Sequence, residues 1–172
     1  MLAWLPTYLA KVQHMSISNA AYLSTMFDIG SVLGAVSAGF VGSNPRRRIA
    51  VVLLMSTLAA VFVSMYDQAA SFGYATNTFM IFMSGFMIAG PDSILGGTAC
   101  SDICDASTSG AKILSSATGL VNGMGSLGAI LSGMLPVFIF QGYGWNALFV
   151  ASGMLCFMGG VAVAPVLRSS DK

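Results

Sequence analysis

The chain has 172 residues, of which 56% are hydrophobic and 8% are charged, and its seven basic and six acidic residues leave a net charge of +1. Because a soluble domain carries about 25% charged residues and needs them to cover its surface, this composition excludes an ordinary soluble fold. No basic block suggests a nucleic-acid partner. The composition therefore predicts a protein that is embedded in the lipid bilayer.

Five apolar stretches are long enough to cross the hydrocarbon core, which needs about 20 residues in a helix. Each is predicted to be helical, because lipid offers no hydrogen-bond partner to free backbone groups, and the fold class is all-α. In chain order the predicted spans are 20–42, 49–66, 78–99, 113–140 and 145–167, with residues 67–77 as one of the connecting loops. Residues 1–12 are too few to span alone and are predicted to be the end of a sixth helix.

The first predicted span carries a row of small residues and one acidic residue. Asp28 lies about two turns inside the span, where a carboxylate needs water or a polar partner. It either faces a water-filled pathway or holds two helices together through hydrogen bonds. The small residues recur every fourth position, which allows a neighbouring helix to approach closely. They are Gly30, Gly34, Ala38 and Gly42.

Basic residues are distributed unequally over the two sides of the predicted bundle. One side holds Lys11 alone, and the other holds six, which are Arg46, Arg47, Arg48, Lys112, Arg168 and Lys172. Since cytoplasmic loops are enriched in Lys and Arg, the basic loop at 46–48 and the C-terminus are predicted to be cytoplasmic. The three consecutive arginines are expected to end the first span at the membrane surface, where their charge is solvated.

Pro91 lies in the middle of the third span, directly before Asp92. Proline removes a helix hydrogen bond and clashes with the preceding turn, so this helix is predicted to kink or unwind there. A carboxylate beside such a break either lines a polar cavity or caps the half-helix that restarts after it. A second small-residue row follows the same span, through Gly85, Ala89, Ser93 and Gly97.

The fourth span has a shorter small-residue row, formed by Gly125, Ala129 and Gly133. Rows of this kind are predicted to be helix-packing surfaces rather than the walls of a cavity. Asn122, in the same span, is neutral and costs less to bury than a carboxylate. Its predicted role is a hydrogen bond between helices.

No enzyme, bound metal or cofactor is predicted. The single histidine, His14, lies in a loop, so neither a two-histidine metal site nor a histidine relay to a nucleophile can be assembled. No glycine-rich phosphate loop is followed by Lys-Ser or Lys-Thr. Cys100, Cys104 and Cys156 are predicted to be packed thiols rather than a disulfide or metal site.

Five segments carry a family resemblance: WLPTYL at 4–9, YLSTMFDIGSVLGAVSAGFVGS at 22–43, GPDSILGGTACSD at 90–102, NGMGSLGA at 122–129 and GWNALF at 144–149. Together they resemble the organophosphate:phosphate antiporters of the major facilitator superfamily, and among these the eukaryotic sugar-phosphate exchangers. The resemblance covers nearly the whole chain. It implies a fold of twelve helices in two halves, of which this chain is similar to the end of helix seven and helices eight to twelve.

The resemblance also implies a function. A sugar phosphate or glycerol phosphate would be exchanged for inorganic phosphate by alternating access, with Asp28, Asp92 and Asn122 as candidates for the substrate cavity. Alternating access needs two halves that rock around a site at the midplane. The chain is therefore expected to be the C-terminal half of a transporter, inactive until an N-terminal half is supplied.

This sequence departs from the family pattern at several places. In the family, one arginine on the first helix of each half binds phosphate, and neither arginine is present in this sequence. Ala89 stands where bacterial relatives have tyrosine, and Asn122 where eukaryotic relatives often have aspartate. Ser43-Asn44 replaces the usual Ser-Asp before the basic loop, so a charge pair that pins helices is expected to be lost.

The alternative function is a non-transporting assembly or scaffold subunit that docks through its small-residue rows. The sequence leaves open which phosphate ester is carried. It also leaves open the membrane, which could be the endoplasmic reticulum, another endomembrane or the plasma membrane.

Overall fold

The computed structural model describes residues 5–70, 72–99 and 110–170, and these residues form helices without any strand. This confirms the all-α fold class. The helices are α1 (Leu5–Lys11), α2 (Ile17–Val41), α3 (Pro45–Ala70), α4 (Tyr74–Ser93), a π-helical segment (Ile94–Ala99) that continues α4, and α5 (Gly110–Ser170). The long helix α5 is kinked at Gly144, whose φ of 79° and ψ of 179° are not helical.

Among the described residues, four segments are long and apolar enough to cross a membrane, which confirms a multi-pass membrane protein. They are Ile17–Val41, Arg47–Ala69, Tyr74–Gly97 and Gly144–Val163. These segments overlap the first, second, third and fifth predicted spans. The fourth, 113–140, lies in the first part of α5, and its crossing of the membrane stays a prediction. Helices α3 and α4 extend into the predicted loop at 67–77, so the helices are longer than the apolar stretches that predicted them.

Successive helices run in opposite directions, as a membrane bundle requires. One pocket is lined by Gln13 after α1, Asp67 near the end of α3 and Tyr74 at the start of α4. At the same end, Tyr8 of α1 contacts Trp145 next to the kink in α5. We call this end of the bundle the Tyr8 end. At the opposite end, which we call the Arg48 end, Gly42 lies against the side chain of Ile94.

Helices α2 and α4 pack with their backbones in close approach. A methyl group added at Gly30 or Gly34 would overlap the carbonyl group of Phe82 or Phe86, and one added at Gly85 would overlap the carbonyl of Phe27. Both small-residue rows predicted from the sequence therefore contribute to one interface, which we call the α2–α4 seam. Only small side chains allow this separation in lipid, where helices associate through close packing.

A second close contact joins α3 to the last part of α5. An added methyl group at Gly153 would overlap the Ser64 side chain and the Ala60 carbonyl, and one at Gly160 would overlap the Ser56 side chain. The sequence analysis did not single out this contact. Its α3 residues nevertheless carried the same signal as the α2–α4 seam, because Ser56, Ala60 and Ser64 are small and recur every fourth position within the second predicted span.

The first part of α5 packs differently. Its described side chains between 119 and 131 are all exposed, including Leu120 (69% exposed) and Met124 (64%). An added methyl group at Gly125 or Gly133 would meet no atom within 4 Å. The close helix packing predicted for this third small-residue row is therefore not observed at Gly125 and Gly133 among the described residues.

Candidate functional site

A cavity of about 660 Å³ lies between α2, α3, α4 and α5. Most of its lining is apolar, with Ala89, Pro91 and Leu95 contributed by α4 and its π-helical continuation. The polar side chains that line it are Ser31, Ser56, Asp92 and Cys156. An apolar pocket with a few convergent polar groups is the usual form of a small-molecule site, so this cavity is the candidate functional site.

The local structure around Pro91 explains how Asp92 reaches the cavity wall. Helix α4 continues through Pro91 to Ser93 and then changes to π-helical geometry. The carbonyl of Gly90 accepts hydrogen bonds from the backbone N–H of Ile94 and from Ser93 Oγ at 2.8 Å. The predicted disruption thus takes the form of a π-helical segment after the proline rather than an unwound break. Asp92 lies inside α4, so it does not cap a restarted half-helix.

Of the three residues predicted for the substrate cavity, Asp92 alone lines this one in the described part of the chain. Asp28 is exposed on α2, although its neighbour Phe27 contributes to the cavity wall. Asn122 is exposed on the first part of α5 and does not line this cavity, although Ala129, about two turns later on the same helix, does. The shared substrate cavity of Asp28, Asp92 and Asn122 therefore stays a prediction.

Arg48 departs from the expectation that all three arginines of the basic loop are solvated. It lies in the first turn of α3, is 6% exposed, and its Nε donates a hydrogen bond of 3.1 Å to the carbonyl of Gly42. The last carbonyls of a helix lack partners within the helix, and a basic side chain can satisfy them. Arg48 thus caps α2 and ties it to α3. Arg47 is exposed, and the Arg46 side chain lies outside the described residues.

A network of polar side chains, which the sequence analysis missed, closes the Tyr8 end. Tyr66 Oη donates to Asn77 Oδ1 at 2.6 Å, and Asn77 Nδ2 donates in turn to Gln13 Oε1. Tyr8 Oη donates to the carboxylate of Asp67. These five residues, which we call the tyrosine network, join α1 and the loop after it to α3 and α4. Because Tyr66 and Asn77 are fully buried, their polar atoms depend on each other for hydrogen bonds.

Aromatic rings extend the same region to α5. The ring centroid of Tyr8 lies 5.2 Å from that of Trp145 and 5.0 Å from that of Phe149, both in edge-to-face geometry. The Phe149 and Tyr66 centroids are also 5.0 Å apart. Such pairs add to the stability that burial provides. The motifs WLPTYL and GWNALF, which lie at opposite ends of the sequence, are therefore in contact.

The remaining His, Cys, Asp and Glu side chains that the structure describes form no metal-binding cluster. No group of three or more His, Cys, Asp or Glu side chains that could hold a metal occurs in the described ranges. His14 is exposed in the loop after α1, and Cys156 is a half-buried free thiol. Cys100 and Cys104 lie outside the described residues.

Comparison with known proteins finds glucose-6-phosphate exchangers and a glycerol-3-phosphate transporter among the similar proteins. The chain is 31% identical over 150 residues to a glucose-6-phosphate exchanger of Mus musculus, covering 86% of this chain and 30% of that protein. It is 31% identical over 173 residues to a glucose-6-phosphate exchanger of Homo sapiens, covering 99% and 32%. A protein of Arabidopsis thaliana that is named as a glycerol-3-phosphate transporter is 29% identical over 174 residues, covering 98% and 35%.

This chain thus spans about a third of the length of these relatives, between 30% and 35% in the three alignments. No family model matches the chain, and no solved structure matches it.

Proposed function

Since the chain belongs to the organophosphate:phosphate antiporter family over the part of its relatives that it spans, we propose that it forms one half of a transport pathway for phosphate esters. The observation that supports this most directly is the cavity of about 660 Å³ between four helices, with Asp92 on its wall. In this proposal the cavity is the contribution of this half to the substrate site.

The transport step is alternating access, in which two helical bundles rock around a central site. One bundle cannot enclose a substrate alone, so a second bundle must supply the opposite wall. We propose that this is the N-terminal half of the family fold, either in a longer polypeptide or as a second chain. Sequencing the transcript upstream of Met1 tests the first of these arrangements.

The proposed substrates follow from the names of the relatives, which are glucose-6-phosphate exchangers and a glycerol-3-phosphate transporter. An organic phosphate would cross the membrane in exchange for inorganic phosphate. Such an exchange makes and breaks no covalent bond and needs no cofactor. The protein would therefore act as an antiporter and not as an enzyme.

Transport by the chain itself gives the main test. The two arginines that bind phosphate in the family are absent from this sequence. The purified chain in liposomes is therefore expected to show no phosphate exchange. Joined to the first two thirds of the mouse relative, it is expected to exchange inorganic phosphate for glucose 6-phosphate. Saturable exchange by the chain alone would contradict the proposal of a half-transporter. An extended chain that inserts correctly but never exchanges would favour a scaffold function.

The proposed orientation places the Arg48 end and the C-terminus in the cytoplasm, because six of the seven basic residues are predicted to lie on that side of the membrane. Cysteines introduced at Asn44 and Ser170 should react with an impermeant maleimide from the cytosolic side only. Labelling of either position from the opposite side would contradict this topology. Endomembranes such as the endoplasmic reticulum are the proposed location, and tagging the intact gene product tests that.

A further inference from the structure

We propose that the cavity binds the hydroxyl-bearing end of the organic phosphate and not its phosphate group, with Asp92 accepting hydrogen bonds from substrate hydroxyls. This inference rests on the proposed function and assigns one part of the substrate to this half of the site. It makes Asp92 a specificity-determining residue. The phosphate group would then be bound by groups outside the described part of this chain.

The charge of the described cavity lining disfavours a phosphate subsite there. Among the described residues that line the cavity, Asp92 is the single charged side chain, and Lys, Arg and His do not contribute. Phosphate recognition in proteins relies on basic side chains or on clustered N–H donors. A phosphate group in this cavity would instead lie near a carboxylate, and like charges repel each other.

The hydrogen-bonding capacity of the lining suits hydroxyl groups. An ionised carboxylate can only accept hydrogen bonds, and a hydroxyl group supplies the donor it needs. Ser31 Oγ donates its own proton to the carbonyl of Phe27 at 2.9 Å, so its oxygen is left to accept as well. Asp92 is exposed, so a substrate can reach its carboxylate without a movement of α4.

The apolar part of the lining suits the carbon skeleton of a sugar or polyol. Ala89 lies three residues before Asp92, which places both on one face of α4. The small methyl side chain of Ala89, together with Pro91 and Leu95, offers an apolar wall beside the carboxylate. C–H groups of the substrate can pack on that wall while its hydroxyls reach Asp92 and Ser31.

A native thiol in the cavity lining provides the test. Cys156 lines the cavity and is half-buried, so a bound molecule should slow its reaction with a maleimide. Replacing the other two cysteines by serine makes it the single reporter in membranes that contain the expressed chain. The probes are glucose, glucose 6-phosphate and inorganic phosphate. We expect glucose and glucose 6-phosphate to slow the labelling several-fold and to a similar extent, and inorganic phosphate to leave it unchanged.

Variants then assign the effect to Asp92. Asp92→Leu should abolish protection by glucose, because the hydroxyl acceptor is lost. Ser37→Leu is the matched control, since Ser37 is an exposed residue of α2 that bonds to Leu33 of its own helix and does not line the cavity. The control should keep the protection of the parent chain. Equal protection in parent and Asp92→Leu chains would overturn the assignment to Asp92.

The labelling of the parent chain decides the proposal even if a variant fails to fold. Protection by inorganic phosphate without protection by glucose would overturn it, and so would labelling that none of the three probes slows. Either result would leave the antiporter proposal standing, because exchange by the extended chain tests that separately. Loss of exchange with intact glucose protection would instead contradict the transport function.

Discussion

Two glycine rows with the same spacing pattern have different environments in this molecule. In the α2–α4 seam, Gly30 and Gly34 lie so close to the backbone of α4 that a methyl group has no space. In the first part of α5, Gly125 and Gly133 have no atom within 4 Å of an added methyl group. A small-residue row therefore indicates that a helix can approach closely, but not that a partner helix is present in the described chain.

The strongest test of this comparison is a pair of leucine substitutions. Gly34→Leu should separate α2 from α4 and destabilise the chain by more than about 3 kcal/mol, because the added atoms meet backbone that cannot move aside. Gly125→Leu, the matched control, should change the stability by less than about 0.5 kcal/mol. SDS-induced unfolding in mixed micelles measures both. Equal losses would mean that Gly125 is packed after all, and equal tolerance would contradict the close approach at the seam.

A second test compares the seam with the tyrosine network, where polar groups rather than small residues hold the helices. Asn77→Leu removes the acceptor of Tyr66 Oη and the donor to Gln13, and leaves the buried Tyr66 hydroxyl and the half-buried Gln13 side chain without that partner. We expect a loss of about 2 kcal/mol in the same unfolding assay.

Tyr66→Phe, alone and combined with Asn77→Leu, completes a double-mutant cycle for this hydrogen bond. The double variant should be more stable than the sum of the single losses predicts, because it leaves no buried hydroxyl unpaired. Strict additivity of the two losses would show that Tyr66 and Asn77 do not interact.

A third test concerns the Arg48 end. Arg48→Ala removes the hydrogen bond to the Gly42 carbonyl and should cost about 1.5 kcal/mol, since the donor is charged and mostly buried. Arg47→Ala is the control, because Arg47 is exposed one position earlier, and its effect should stay below about 0.5 kcal/mol. If both substitutions had the same small effect, the capping role of Arg48 would be wrong.

The smallest effect is expected within the seam itself. Ser93 Oγ lies 3.4 Å from the carbonyl oxygen of Ala35 across the α2–α4 seam, in addition to its bond within α4. Ser93→Ala should cost about 0.5 kcal/mol, the usual size of a hydrogen bond between membrane helices. Ser37→Ala, which removes a bond within α2 alone, should cost less. The reverse order would indicate that Ser93 contributes nothing across the seam.

Much of the fold could be predicted from the sequence, because lipid imposes strong rules on composition and helix length. The all-α class and the small rows at Gly30 and Gly85 follow from those rules and agree with the structure. The exposed row at Gly125 shows their limit. Periodicity describes the surface of one helix, whereas packing depends on which other helix lies opposite.

The candidate site was less predictable. Asp92 was identified because a carboxylate beside a proline is costly inside a membrane, and it does line the cavity. Asp28 was identified by the same reasoning, yet it lies outside that lining, because depth along a helix does not say which face a side chain occupies. Asp67 and Asn77 were missed, since both fell in a predicted loop, where polar residues need no explanation.

The kink at Gly144 also limits how the gene can vary in length. The helix resumes directly after this residue, with no loop to absorb an extra codon, and Phe149 contacts Tyr8 and Tyr66 little more than one turn later. One inserted or deleted residue between them would rotate Phe149 by about 100° around its helix axis and turn it away from both tyrosines. Related genes should therefore differ here by substitution, with length changes confined to other connections.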